Sequence, residues 1–130
     1  MRKHLLESFD KIYILDLHGN AKKKEVCPDG SPDQNVFDIM QGVSINIFIK
    51  TRNKKNNELG HLFHYELHGN REFKYEYLAN NNFKSIIWNK VEHLTNELFF
   101  KMQDNEQLKS YHKNCFSLND FFVLGANGIK

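Results

Sequence analysis

The chain has 130 residues, 40% of them apolar, and a formal charge of +2. That length fits one domain with a modest core, and the small charge excludes the overall basic bias that by itself indicates nucleic-acid binding. Cys27 and Cys115 are not spaced for a zinc knuckle. The opening residues become charged too soon for a signal peptide, and no apolar run approaches the ~20 residues of a membrane span. We therefore expect two free thiols and a cytoplasmic protein.

The first predicted elements are a short helix and an apolar strand. Apolar residues at helical spacing predict a helix over residues 2–9. Residues 11–17 (KIYILDL) form a nearly continuous run of strand formers, which predicts a strand covered on both faces. Gly19 and Asn20 end that strand. The polar segment 21–34, which contains both prolines, predicts an exposed loop longer than most connections in compact domains.

Two alternating segments follow. Residues 43–50 (VSINIFIK) place Val43 and three isoleucines on one face, which predicts a half-buried strand. Residues 61–69 (HLFHYELHG) alternate in the same way, and the polar, basic segment 51–60 separates the two. The simplest connection between them is an antiparallel hairpin.

The remaining residues give weaker signals. Residues 71–78 (REFKYEYL) favour a helix, although they also alternate like a strand. Apolar residues between Trp88 and Leu98 fall at helical spacing but are interrupted by asparagines, so a helix and a short irregular element both remain open. Ser117 is placed as an N-cap before an apolar patch that ends in two glycines.

Histidines after the hairpin connection raise the question of a metal site. If the segment were a helix, His61, His64 and His68 would share one face. In a strand, His64 and His68 would share a side with Glu66. The surrounding Leu-Phe-Tyr pattern instead favours a strand with a polar, solvated outer face, so we assign no metal ligand. The segments 16–20 (DLHGN) and 66–70 (ELHGN) are almost identical, and we interpret them as two strand ends with the same stop signal rather than as a repeat.

Motifs of common enzyme chemistry are missing from the sequence. There is no G-x-S-x-G turn, no G-x-G-x-x-G loop and no phosphate-binding G-x-x-x-x-G-K-[ST] loop. We therefore predict no catalytic and no cofactor-binding residue in this chain. Two basic loops remain as candidate phosphate contacts to DNA, against the plainer interpretation that they are solvated loops. These candidates are Lys22, Lys23, Lys24, Arg52, Lys54 and Lys55.

Taken in order, four segments of the chain resemble one protein family. They are FDKIYILDLHGN at 9–20, the stretch from KKKE to VSINIFIK at 22–50, HYELHGNREFKYEYL at 64–78, and FSLNDFF with GANGIK at the carboxyl end. The chain is similar to the C-terminal part of the methyltransferase domain in γ-class DNA adenine-N6 methyltransferases, which occur in type IIG and type ISP restriction-modification enzymes. DLHGN and NVFDI with QGV are the most specific matches.

The resemblance implies an α/β fold that is part of a Rossmann-like methyltransferase domain. It implies a small mixed sheet, with one parallel-type strand and an antiparallel hairpin, and flanking helices. In the family, S-adenosylmethionine is bound at a glycine motif, and the target adenine at an N-P-P-[YF] motif that lies before this region. Neither motif is present here. Residues 1–130 are thus predicted to be one domain, a fragment of a larger methyltransferase domain, in which 112–130 connects toward a target-recognition domain.

Function and partners follow from the same resemblance. We expect a segment of an S-adenosylmethionine-dependent DNA adenine-N6 methyltransferase that is inactive alone and acts on DNA together with its missing N-terminal half. A three-stranded sheet cut from a larger one leaves a free edge, which offers a contact for a homodimer. The alternative is a stand-alone DNA-binding or regulatory module that uses the basic loops.

Overall fold

The computed structural model describes residues 1–51, 54–55, 58–92, 98–101 and 104–115. Its elements, in chain order, are α1 (Arg2–Ser8), β1 (Lys11–Asp16), a 3₁₀ turn (Ala21–Lys23), β2 (Ser44–Ile49), β3 (His61–Glu66), α2 (Arg71–Asn80), β4 (Asn89–Val91) and α3 (Asn105–Asn114). The strands form one sheet in the order β2-β1-β3-β4. β1 is parallel to β3, and the other two pairings are antiparallel. The predicted α/β class, with a mixed sheet and flanking helices, is confirmed.

Strand β1 is an inner strand that is covered on both faces, as its apolar sequence predicted. Four of its six residues are buried, and it pairs with a strand on either side. One face carries the apolar cluster of Leu6, Ile12, Ile14, Leu62, Val91 and Leu98. The opposite face carries a second cluster of Leu15, Leu17, Val36 and Leu67. A strand buried on both faces gains most from two neighbours, and this explains its central place.

The strands that lie beside β2 and β3 differ from the prediction. Strands β2 and β3 were expected to form a hairpin with each other, but β1 lies between them and pairs with both. Alternating sequence shows that a segment is a strand, but it does not show which strand lies beside it. The loop between β2 and β3 therefore crosses over β1 rather than making a tight turn.

Burial along β2 and β3 also differs from the prediction. β2 is an edge strand that is exposed on both faces, with Ile45 and Phe48 each 42% exposed, rather than half buried. In β3 the expected polar, solvated face is wrong for His64, which is buried beside Leu62 in the strand pattern. The reason is topological, because β3 is an inner strand that is covered from both sides of the sheet.

Several smaller predictions can be compared with the structure. Residues 71–78 are helical, and Asn70 caps α2 by accepting the backbone N–H of Phe73 at 2.8 Å. The region from Trp88 contains the short strand β4 instead of a helix, and residues 93–97 lie outside the described part. The predicted cap at Ser117 and most of the predicted connection at 112–130 lie outside the described residues.

The long connection after β1 is anchored rather than freely exposed. Val26 and Pro32 form an isolated β-bridge, and the side chain of Cys27 between them is buried. The thiols of Cys27 and of the exposed Cys115 are both free. Asp33, near the end of the connection, has a fully buried side chain. Within the described part of the chain, no helix is both long and apolar enough to span a membrane.

Candidate functional site at the carboxyl ends of β1 and β3

The two similar segments DLHGN and ELHGN lie side by side in the structure. β1 and β3 are parallel neighbours in a register that pairs Asp16 with Glu66. The chain therefore leaves the sheet twice at the carboxyl ends of adjacent strands, each time through the residues Leu-His-Gly-Asn. The rings of His18 and His68, two positions further on, stack with centroids 3.9 Å apart and planes inclined by 20°. What the sequence suggested was a shared stop signal is thus a paired site.

Hydrogen bonds fix the imidazole of His18. Its backbone N–H donates to Asp16 Oδ1 at 3.0 Å, and its φ of 51° turns the chain sharply away from the sheet. Its ring Nδ1 lies 2.9 Å from Glu25 Oε1, so that Nε2 is the ring nitrogen that remains. Nε2 is buried without a hydrogen-bond partner among the described residues. Such a buried, unpaired polar atom costs about 1–3 kcal/mol of folding free energy.

Glu25 is held as a carboxylate beside His18. Burial would raise the pKa of Glu25, but the backbone N–H of Asn20, which donates to Oε2 at 2.9 Å, and the His18 ring lower the pKa below its usual value. A carboxylate that hydrogen-bonds one imidazole nitrogen orients the ring and makes the other nitrogen a better electron-pair donor. Glu25 therefore holds the ring of His18 in one orientation.

His68 lies on the other side of the site, next to a buried ion pair. Asp33 Oδ2 lies 2.9 Å from Nζ of Lys74, and both side chains are fully buried. Asp33 Oδ1 accepts the backbone N–H of Gly69 at 2.7 Å, which fixes the turn that carries His68. Burial would raise the pKa of Asp33, but the hydrogen bond from Gly69 and the charge of Lys74 lower it below its usual value. Nδ1 of His68 is buried without a hydrogen-bond partner in the described part of the chain.

Gly19 lets the turn after β1 approach the next segment closely. A Cβ on Gly19 would lie 2.5 Å from the Cα of Asn35, and the φ of Gly19 is +80°. The side chain of Asn35 in turn donates to the carbonyl of Gly19 at 3.1 Å and accepts the N–H of Phe37 at 2.8 Å. The turn and the NVFDI segment are therefore packed backbone to backbone.

Two cavities flank this turn. The smaller, of about 350 Å³, is lined by residues that include Asp16, His18, Lys23, Glu25 and His64. Burial lowers the pKa of His64 below its usual value, although the charges of Glu66 and Asp16 act in the opposite direction.

The larger cavity, of about 570 Å³, lies on the other side of the turn and is lined by residues that include Gly19, Asn35, Phe37 and Arg71. The guanidinium of Arg71 fixes its wall by donating to the carbonyls of Asn35 and Phe37 at 2.9 and 3.1 Å and by pairing with Asp38 at 2.8 Å. The Phe37 side chain stays 58% exposed at the rim.

The candidate DNA contacts separate into two places. Lys22, Lys23 and Lys24 are exposed in the 3₁₀ turn and its cap at the carboxyl end of β1, and Lys23 lines the smaller cavity. Nζ of Lys54 instead donates to the carbonyls of Leu6, Glu7 and Phe9 at 2.6, 2.7 and 3.3 Å, which caps the carboxyl end of α1.

The second basic loop does not lie beside the first. Lys54 is instead bound beside the amino end of β1, so it lies at the opposite end of the strands from the first basic loop. Lys55 is exposed, and Arg52 lies outside the described residues.

The turn after β1 does not have the geometry of a glycine-rich cofactor cradle. A cofactor cradle needs a glycine whose open side faces the ligand, so that the backbone can approach it closely. The open side of Gly19 faces the backbone of Asn35, and the turn leads into three residues of 3₁₀ helix rather than into a long helix. The turn at Gly19 therefore does not form a cofactor cradle of that kind.

Comparison with known proteins gives structural relatives only. No protein-family model matches the chain, and no curated protein matches it. Residues over 70% of the chain superpose on the cryo-EM structure of a DrdV–DNA complex with a TM-score of 0.56 at 24% identity, and this likeness shows a shared fold. Over 62% of the chain, the ATP-dependent type ISP restriction-modification enzyme LlaBIII bound to DNA matches with a TM-score of 0.51 at 34% identity.

The chain resembles a segment of a restriction-modification enzyme. It spans 9% of the length of the DrdV chain and 5% of the length of the LlaBIII chain. The resemblance seen in the sequence is thereby supported at the level of the restriction-modification enzyme.

Proposed function

We propose that this chain forms the C-terminal part of the catalytic domain of an S-adenosylmethionine-dependent DNA adenine-N6 methyltransferase in a restriction-modification system. The observation that carries the proposal is the match to LlaBIII, which combines 34% identity with a TM-score of 0.51 over 62% of the chain. The DLHGN and NVFDI segments, which carry the sequence resemblance, meet at Gly19 and Asn35 in the structure.

In this proposal the chain shapes one wall of the DNA site and supplies no reacting group. The turn after β1 presents Lys22, Lys23 and Lys24 as phosphate contacts, and the packed Asn35 holds Phe37 at the rim of the larger cavity. The cofactor is assigned to other parts of the larger enzyme, since the turn at Gly19 does not form a glycine-rich cofactor cradle. The exposed apolar residues Phe37, Ile45 and Phe48 support contact with those parts.

A methyl-transfer assay tests the proposal. The purified chain is incubated with duplex DNA and tritiated S-adenosylmethionine, alone and together with a separately produced partner half, the part of LlaBIII that precedes the segment matched by this chain. We expect no incorporation by the chain alone, and association with that half together with incorporation at adenine N6 by the mixture. Methyl transfer by the chain alone contradicts the proposal. Salt-dependent binding of duplex DNA by the chain without association favours the stand-alone binding module.

The basic turn is tested with a matched pair of triple variants. Replacing Lys22, Lys23 and Lys24 by alanine is expected to weaken DNA binding by the mixture and to reduce the slope of log K against log salt by about 2 to 3, since each lost phosphate contact contributes about 0.9. The control replaces three exposed lysines elsewhere on the sheet, Lys11, Lys50 and Lys90, and removes the same charge. Equal effects of both triples would assign the loss to net charge alone.

A further inference from the structure

We propose that His18, His68 and Glu66 bind a divalent transition-metal ion, with zinc as the best match, at the carboxyl ends of β1 and β3. One ligand atom from each of the three side chains lies within 4.8 Å of the other two. Two imidazoles and one carboxylate are a common zinc ligand set in proteins, and imidazole favours zinc over magnesium or calcium. This proposal does not depend on the proposed function.

The first argument is the set of nitrogen atoms without partners. Nε2 of His18 and Nδ1 of His68 are both buried, and neither has a hydrogen-bond partner within the described ranges. Buried polar atoms in folded proteins are nearly always paired, so two such atoms in one stacked pair of rings need an explanation. A bound cation supplies one, because a neutral imidazole nitrogen donates its electron pair to the metal.

The second argument is the arrangement around the ligands. Glu25 holds Nδ1 of His18 at 2.9 Å, which is the outer carboxylate that metal-binding histidines in proteins usually have. Asp16 uses Oδ1 for the backbone of His18, while its Oδ2 lies 4.0 Å from Nε2 of the same ring. The carboxylate of Asp16 therefore adds negative charge beside Nε2 of His18, and the carboxylates around the site favour a cation.

The distances require only small movements of side chains. Zn–N bonds of about 2.0–2.1 Å put ligand atoms of a tetrahedral site roughly 3.4 Å apart. Nε2 of His18 and Oε1 of Glu66 are 3.8 Å apart, and the largest separation in the set is below 4.8 Å. The ring of His68 must also turn out of its stack on the fixed ring of His18, so that one nitrogen of each ring points at a common centre. Both changes are rotations about side-chain bonds at the end of rigid, paired strands.

The test measures metal binding by the full chain after chelator treatment. Co²⁺ and Zn²⁺ are titrated separately, with the visible absorption of tetrahedral Co²⁺ and calorimetry as readouts. We expect one ion per chain, displacement of Co²⁺ by Zn²⁺, and a rise in Tm of roughly 5–10 °C when zinc is about a hundredfold above its Kd. Absence of stoichiometric binding overturns the proposal.

Variants separate a built site from adventitious binding to surface histidines. Glu66→Gln alters a half-exposed side chain, so the fold is expected to persist, and it should weaken binding at least tenfold. His68→Gln should abolish the Co²⁺ absorption, with circular dichroism used to confirm folding. Glu25→Gln, which acts only through His18, should weaken binding by about 10–100-fold. His61→Gln alters an exposed histidine on the same strand and should change nothing. Unchanged binding in Glu66→Gln, or equal loss in His61→Gln, overturns the proposal.

Discussion

The buried ion pair between Lys74 and Asp33 provides the sharpest test of how this edge of the sheet is held. Nζ of Lys74 donates to the carbonyls of Leu17 and Gln34 at 2.7 and 2.6 Å as well as to Asp33. It therefore joins α2 to the end of the β1 segment and to the connection that follows it. Both side chains of the pair are fully buried.

Replacing Lys74 by methionine keeps most of the volume and removes the charge. The carboxylate of Asp33 then keeps the N–H of Gly69 but loses its cation, and two carbonyls lose a donor. Removing one partner of a buried pair costs about 3–5 kcal/mol. Domains of this kind are stable by about 5–15 kcal/mol, so the variant loses a large part of its stability.

Urea unfolding at pH 7 measures this loss through the fluorescence of Trp88, the single tryptophan of the chain. With a typical m of about 1.5 kcal/mol/M, the midpoint falls by roughly 2–3 M. The control Lys84→Met alters an exposed lysine and should stay within about 0.5 kcal/mol of the parent. Adding Asp33→Asn to the variant should recover about 1–3 kcal/mol, because no unpaired charge is left buried. A loss below 1 kcal/mol in Lys74→Met would refute this account of the ion pair.

Three further predictions concern groups at the same edge and on α2. Because burial lowers the pKa of His64 in the folded state, the unfolded chain binds the proton more strongly. The free energy of unfolding should therefore fall as the pH drops below about 6.5. His64→Leu should reduce the difference between the unfolding free energies measured in urea at pH 7.5 and 5.5. Gly19→Ala should cost roughly 3 kcal/mol or more, from its positive φ and a backbone clash, whereas Gly30→Ala, with a similar φ and open space, should cost about 1–2 kcal/mol in the same assay. Burial and Tyr65 raise the pKa of Tyr77 to about 12, so Tyr65→Phe should lower its midpoint in an ultraviolet titration.

The central part of the fold could be predicted because its signals are local. The apolar run of β1 requires burial on both faces, and the helix at α2 starts at an asparagine cap that its sequence provides. The neighbours of β2 could not be predicted, since alternation in β2 and β3 is compatible with a hairpin and with a crossover alike. Burial of His64 is a consequence of that same crossover, because it places β3 inside the sheet.

The candidate site could not be predicted from the sequence for a related reason. DLHGN and ELHGN were visible as an echo, but their side chains meet only if the two strands are parallel, adjacent and in register. None of these three conditions can be read from spacing along the chain. The echo itself was the available signal, since two strand ends with the same residues at the same offset present matching side chains whenever the strands pair in parallel. Lys54 shows the opposite case, in which a residue chosen for its charge is used to cap a helix.

The basic turn and the proposed metal site share one edge, and their charges are linked through Glu25. Glu25 hydrogen-bonds both His18 and the backbone of Asn20, whose side chain caps the 3₁₀ turn that carries Lys23. Carboxylates at this edge oppose the approach of a phosphate, and a divalent ion bound beside them reduces that repulsion. Zinc should therefore strengthen DNA binding by the mixture of this chain with the LlaBIII part, most at low salt, where charges are least screened. Glu66→Gln should remove this effect of zinc while keeping the lysines. A zinc effect of equal size in parent and Glu66→Gln would show that the ion acts elsewhere and that the two features of this edge are independent.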